Sequence, residues 1–285
     1  MAVRPAPPVS DYVLGHGDGE LRRLISQSAL YAPFTEVLLQ KAQIEPGMRV
    51  LDVGCGPGDV SLLAARRVGP AGHVTGLDRC SKALDLARRR VADAGLCNVD
   101  FSVGDLSDPV LGFEDCYDAM LGSFVLMYLP EPSAALRGLA GHVREGGVVA
   151  FQEMDISRAE SYPEMPLWRN CRKWIADTFE KSNVDIRMGR KLYSTFRQAG
   201  LPGPRMILNA RVEGGADTSA CQYVADVVAS LLPRMVELGI VAEAHVQIET
   251  LSNRLNEEMR LSDGVSILPS LIGAWAIKPR HMQSG

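Results

Sequence analysis

From residue 48 to residue 152, short apolar runs alternate with stretches of helical period. Residues 49–53, 72–78, 99–103, 117–123 and 148–152 read as strands. Between them, 59–68, 81–94 and 131–144 read as helices. Val60, Leu63, Ala64 and Val68 fall on one side of the first, and Leu84, Ala87, Val91 and Ala94 on one side of the second. Strands alternating with helices of this length imply parallel pairing and right-handed crossovers. Several strands are apolar on both faces, as a sheet covered on both sides requires. The pattern predicts a doubly wound α/β sheet.

The flanks are less regular. Residues 1–20, rich in Pro and Gly, read as a mobile arm, and 21–45 as helical with Pro33 breaking or bending the segment. Pro46-Gly47 signals a turn. Residues 156–186 read as mostly helical around Trp168, Cys171, Ile175 and Phe179, and 189–199 as a further helix. Strands are expected at 206–212 and 266–277. Between those two lie an apolar stripe (Val224, Val227, Val228, Leu231 and Leu232) and a polar, helix-like stretch over 243–262. The expected organisation is an N-terminal arm with lid helices (1–45), a core (46–155), and the rest of the same domain (156–285). Insertions near 156–186 and 214–262 exceed what sheet connections need. They are expected to roof an apolar pocket.

Composition narrows the function classes. A chain of 285 residues with 46% hydrophobic and 22% charged residues suits one large globular domain. It contains no run of eighteen apolar residues, and its start lacks the apolar core of a secretory signal. A cytoplasmic monomer or homodimer with no membrane partner is expected. The net charge of −4 counts against a surface that neutralises phosphates, so no nucleic-acid partner is expected. The run Arg88-Arg89-Arg90 reads as a solvated helix face. Six cysteines without a CxxC pair and five scattered histidines point to no metal site.

The candidate chemistry lies at the end of the first strand. Asp52-Val53-Gly54-Cys55-Gly56-Pro57-Gly58 joins that strand to a helix. Such a turn lets a ligand approach bare backbone, and the helix N-terminus supplies N–H donors and partial positive charge. By itself it suits a pyrophosphate or a carboxylate. A dinucleotide fingerprint wants a third glycine five residues after the first, and that position is Asp59. Acids at 52 and 59 sit poorly against a pyrophosphate but tolerate an ammonium and a sulfonium. Asp78 ends the second strand, where it can accept bonds from ribose hydroxyls. Asp105 follows the third, where it can accept a bond from an adenine amino group.

These motifs resemble those of the class I S-adenosylmethionine methyltransferases, and among them the bacterial small-molecule enzymes of the ubiquinone/menaquinone type. Val50–Gly58, Gly76-Leu77-Asp78 and Gly104-Asp105 are similar to that family's first three motifs. Phe124–Leu129, Gly146-Gly147-Val148 and Trp275–Pro279 resemble its later ones. The resemblance implies a seven-stranded, mostly parallel sheet with helical insertions forming a lid, and an antiparallel seventh strand at the sheet edge. It implies S-adenosylmethionine as cofactor and S-adenosylhomocysteine as product. Gly54, Gly56 and Gly58 would line the methionine moiety, with Ser123 beneath it and Asp52 beside the turn. Asp78 would hold the ribose, Arg79 would lie beside the adenine, and Asp105 and Leu106 would bracket it.

Methyl transfer is an in-line displacement, and much of its catalysis comes from holding nucleophile and methyl in line. The acceptor should lie beyond the carboxyl ends of strands four and five. Tyr128 and Glu153 are the catalytic candidates there, with Glu153 preferred as general base. Its structural reading is a helix cap or a surface salt bridge. Phe124, Trp168 and Arg169 are candidate substrate contacts, although the spacing of 168, 171, 175 and 179 reads as one core-facing face and favours Trp168 as a core residue. Tyr12 and the run 15–19 form either a lid over the cofactor or a loose tail. The acceptor is expected to be a small organic molecule such as a phenol, quinone, amine or indole of a specialised metabolite. Two alternatives remain: an NAD(P)-dependent oxidoreductase, and a catalytically inert binder of the same fold.

Overall fold

The computed structural model describes residues 13–15, 17–106, 117–215 and 218–280, except for the side chain of Asp18. The described chain opens with α1 (Asp18–Lys41). There follow β1 (Arg49–Val53), α2 (Asp59–Val68), β2 (His73–Asp78), α3 (Ser81–Asp93) and β3 (Val99–Val103). Next come β4 (Tyr117–Ser123), α4 (Pro132–Leu139) and β5 (Val143–Asp155). The later elements are β6 (Glu160–Tyr162), α5 (Pro166–Lys181), α6 (Met188–Gln198), β7 (Arg205–Asn209) and β8 (Val212–Gly214). The chain ends with α7 (Ser219–Glu237), α8 (Glu243–Val246), α9 (Ile248–Ser262), β9 (Val265–Ile267) and β10 (Ser270–Ile277).

Seven of these strands form one sheet in the order β3-β2-β1-β4-β5-β10-β7. The first five pair in parallel, as the βα alternation predicts. β10 runs antiparallel to both β5 and β7. It therefore lies one place in from the edge, not at the edge, and β7 is the outer strand. An antiparallel neighbour needs only a hairpin turn. Between β7 and β10 the chain instead inserts β8, α7, α8, α9 and β9. Among the described residues no helix is long and apolar enough to cross a membrane.

Alternation along each strand sorts side chains between the two faces. Val50, Ala119, Leu121, Val148 and Ala150 pack with Ala64, Ala65 and Val68 of α2. Leu51, Val53, Met120, Val149 and Phe151 belong to the core of the opposite face. Phe151 meets Phe196 of α6 edge-on, with ring centroids 6.3 Å apart. Odd positions of β5 thus face α6, while even positions face α1 and α2.

Several expectations change. Pro33 lies inside α1 without ending it. Proline leaves one carbonyl of the preceding turn without its N–H. Burial of Leu30, Tyr31, Leu38 and Leu39 anchors the helix on both sides of it. The helix starts at Asp18, and Leu14 before it is buried with the core, so among the described residues the segment expected as a loose arm is tied down at Leu14 and from the first turn of α1. The helix predicted to 144 stops at Leu139, because β5 already begins at Val143. The strand predicted over 266–277 is two strands, interrupted before Ser270 by Pro269, which has no ladder N–H. The strand expected at 206–212 likewise divides into β7 and β8. In the first insertion, β6 precedes the helix.

β9 pairs antiparallel with β6 on one side and β8 on the other. This small sheet links the two insertions. α7 packs against α1, α5 and α9. The insertions and α1 therefore form one roof over the carboxyl ends of the parallel strands.

Candidate active site

Backbone geometry builds the glycine turn. Gly54 and Gly56 have φ of +67° and +50°. A Cβ on Gly54 would lie 2.5 Å from Val125 Cγ2, whereas one on Gly56 would project into open space. Only glycine fits the first position without strain or a clash. Gly54 N and Cys55 N both donate to Leu77 O, at 2.7 and 3.0 Å, tying the turn to β2. Gly58 precedes α2, and a Cβ there would press on Ala87 at 3.0 Å.

The acids of the turn have distinct roles. Asp78 Oδ2 accepts from Gly56 N at 2.9 Å and Oδ1 from Cys80 N at 2.8 Å. Each oxygen keeps lone-pair capacity for a further donor. Asp52 is buried, and its Oδ2 accepts from Ser61 Oγ at 2.5 Å. Burial pushes its carboxyl up to about 7, against the Ser61 hydrogen bond. Asp59 pairs with Arg90 at 2.6 Å, and Arg90 also donates to Pro57 O. Its charge is therefore compensated within the protein. Burial still raises the Asp59 carboxyl, opposed mainly by Arg90.

One cavity of about 1240 Å³ runs from this turn to the underside of the roof. Asp52, Gly54, Gly56, Asp78, Arg79, Asp105 and Leu106 line its first part. Ser123, Phe124 and Tyr128 line it beyond β4, and Trp168 contributes from α5. Leu14 and Gly15 also border it, while Tyr12 and His16 lie outside the described residues. Trp168 is at once core and lining: only 1% exposed, its indole N–H buried without an acceptor.

Three candidates do not line the cavity. Gly58 is absent from the lining, because the position of its missing Cβ faces Ala87 and Phe101 behind the turn. Glu153 is fully buried but is absent from the lining, which takes its neighbours Gln152 and Met154. An odd position of β5 faces α6, so strand alternation turns Glu153 away. Its Oε1 accepts from Val125 N at 3.0 Å and Leu126 N at 2.7 Å, capping the short 3-10 turn Leu126–Tyr128. Burial drives this carboxyl up to about 8, so it is mostly protonated at neutral pH. A general base must reach the proton it removes, and Glu153 does not. Arg169 is exposed and pairs with Glu164 at 2.8 Å, outside the cavity. Its neighbour on the inward face is Arg172.

Other lining residues were not among the site candidates read from the sequence. Gln152 Nε2 donates to Thr35 Oγ1 at 2.7 Å and Ser123 Oγ at 2.8 Å, joining α1, β4 and β5. Tyr31 of α1 stacks edge-on with Phe124 and Tyr223, at centroid distances of 5.8 and 6.1 Å. Tyr223 OH donates to Gln27 Oε1, which also accepts from Arg23. Val224 and Val227, from the apolar stripe on α7, complete this wall. β5 is buried on both faces near its end, so its alternation does not tell whether residue 152 or 153 faces the cavity; the α7 stripe was legible as a roof, whereas the packing of α1 and α5 beside it was not.

Comparison with known proteins identifies the fold and the family. Residues 44–200 match the family model described as a methyltransferase domain. Aklanonic acid methyltransferase DauC of Streptomyces sp. (strain C5) is 33% identical over 137 residues, which are 48% of this chain and 61% of that protein. Demethylmenaquinone methyltransferase of Listeria monocytogenes serotype 4a (strain HCC23) is 31% identical over 200 residues, covering 68% of this chain and 80% of the relative. A SAM-dependent methyltransferase from Aquifex aeolicus shares the fold, with a TM-score of 0.52 and 16% identity over 92% of this chain and 99% of that structure. The dinucleotide alternative falls with these matches. The chain belongs to the methyltransferase-domain family and is an S-adenosylmethionine-dependent methyltransferase with a seven-stranded sheet.

Proposed function

We propose that the glycine-turn end of the cavity binds S-adenosylmethionine and that the roofed end binds a small organic acceptor, to which the methyl group is transferred. One observation carries this reading: a single cavity joins the turn to an apolar, aromatic roof, with room for two ligands. Gly56 opens onto that space, and Asp78 stands at its edge with acceptor capacity to spare. Gly54 and Gly56 hold the methionine moiety, with Asp52 and Ser123 beside it and Gly58 shaping the turn from behind. Asp78 holds the ribose. Arg79, Asp105 and Leu106 flank the adenine.

When bound, the cofactor supplies an electrophilic methyl on a sulfonium centre. The protein's task is then orientation and exclusion of water. Phe124, Tyr128 and Trp168 hold the acceptor against the end of β4. The relatives named for aklanonic acid and demethylmenaquinone support a small organic acceptor, of the kind made in specialised biosynthesis. The reading carries with it a cytoplasmic chain, monomeric or homodimeric, with no nucleic-acid partner. The net charge of −4 supports the last of these.

A thermal-shift panel with S-adenosylmethionine, S-adenosylhomocysteine, NADH and NADPH tests the cofactor end. Saturation at 100 times Kd adds about 2.7 kcal/mol of apparent stability. The two sulfur cofactors should raise Tm, and Asp78→Ala should remove most of that response. An undiminished shift in Asp78→Ala would mean that the ribose is held elsewhere. Mass spectrometry of candidate acceptors for the gain of one methyl group tests the transfer.

A further inference from the structure

Most cations that line the cavity are already engaged. Arg23 forks onto Glu20 through two 2.7 Å contacts. Lys191 pairs with Asp185, and Arg79 has a partner of its own. Arg172 differs. It lies on α5, half-buried, and lines the cavity. It forms no ion pair with any described residue, and its Nε is buried without an acceptor. One turn earlier on the same helix face, the buried indole N–H of Trp168 also lacks an acceptor.

Buried donors in folded proteins are nearly always paired, and an exception calls for a ligand or another explanation. Here two unpaired donors stand one turn apart on a helix that borders the acceptor end. Ile175 and Phe179 further along α5, and Val224 and Val227 of α7, against which α5 packs, are apolar lining residues of the same cavity. A guanidinium beside such walls is matched by one planar anion, because its fork donates to both oxygens of a carboxylate at once. A phosphate would ask for further unpaired cations. Among the described lining residues, the remaining cations are taken.

Resting on the two-compartment reading above, the geometry points to Arg172, assisted by the Trp168 indole N–H, as the binding site for a carboxylate on the acceptor. The acceptor is thus an aromatic acid, its ring system among Tyr31, Phe124 and Tyr223 and its carboxylate under α5. This role belongs to Arg172 rather than to Arg169, three residues earlier. It sets the substrate apart from a neutral quinone, which would leave Arg172 unpaired.

The test uses full-length protein saturated with S-adenosylhomocysteine. Benzoate, 2-naphthoate and anthraquinone-2-carboxylate are titrated calorimetrically, each beside its uncharged carboxamide. At least one acid should bind the wild type about 10- to 100-fold more tightly than its amide, the range expected for hydrogen bonds to a charged group. Arg172→Met should abolish that preference while leaving amide affinity unchanged, and Arg172→Lys should restore part of it. Equal binding of acid and amide throughout, binding of none of the six, or an undiminished preference in Arg172→Met would overturn the proposal. If Arg172→Met does not fold, the acid–amide comparison on the wild type decides the matter. Failure of S-adenosylhomocysteine to bind the wild type would instead overturn the cofactor reading.

Discussion

Replacing Glu153 by glutamine should flatten part of the pH dependence of stability. Burial raises this carboxyl from its ordinary 4.5 to about 8. Between those values the folded chain holds a proton there and the unfolded chain does not. Stability falls with pH wherever the folded state binds more protons, by about 1.4 kcal/mol per pH unit for one group. The contribution is fully present below pH 4.5 and is lost as pH rises through about 8. Across the whole window the loss is about 5 kcal/mol. Glutamine is neutral at every pH and keeps an oxygen for the N–H groups of Val125 and Leu126. Urea unfolding of both proteins at about pH 5.5, 6.5 and 7.5 measures the effect. Wild-type stability minus variant stability should fall by about 1.4 kcal/mol per unit. A difference that stays flat would show that Glu153 is ionised in the folded chain, and would refute its reading as a buried, protonated cap.

Further outcomes follow from the same geometry. Gly56→Val places a β-branched side chain at φ +50° and into the cavity, so calorimetry should show S-adenosylhomocysteine affinity reduced by about tenfold or more. Trp168→Ala should cost about 3 kcal/mol in urea unfolding, the lower end for a buried tryptophan, because the cavity beside it already limits its packing. Arg90→Leu leaves Asp59 without its partner and should cost about 1–2 kcal/mol, the pair being only partly buried. Arg169→Ala, on the exposed face of α5, should change stability by no more than about 0.5 kcal/mol and leave binding untouched.

The relation between Glu153 and Gln152 shows where local reading stops. Both residues lie at the carboxyl end of β5, and the proximity of that end to the acceptor was legible from the strand order. Which of the two faces the cavity depends on strand phase, and the phase is set by how β5 packs against α6 on one side and α1 on the other. A carboxylate draws attention as a base, but the alternation gives the cavity to the amide. Arg169 and Arg172 repeat the case on α5. Helical period separates their faces, yet only the packing of α5 against α7 decides which face is inward.

The sequence by itself determined the cofactor chemistry and the parallel core. Those rest on interactions close along the chain: glycines that need a left-handed turn, acids at strand ends, and apolar runs of fixed period. Only the tertiary structure decided the place of β10 inside the sheet, the union of the two insertions through β6, β8 and β9, and the residues beneath the roof. These are contacts between segments far apart in sequence, each amphipathic and able to pack in more than one way alone. Their arrangement is set by mutual burial over the strand ends, which no local pattern records.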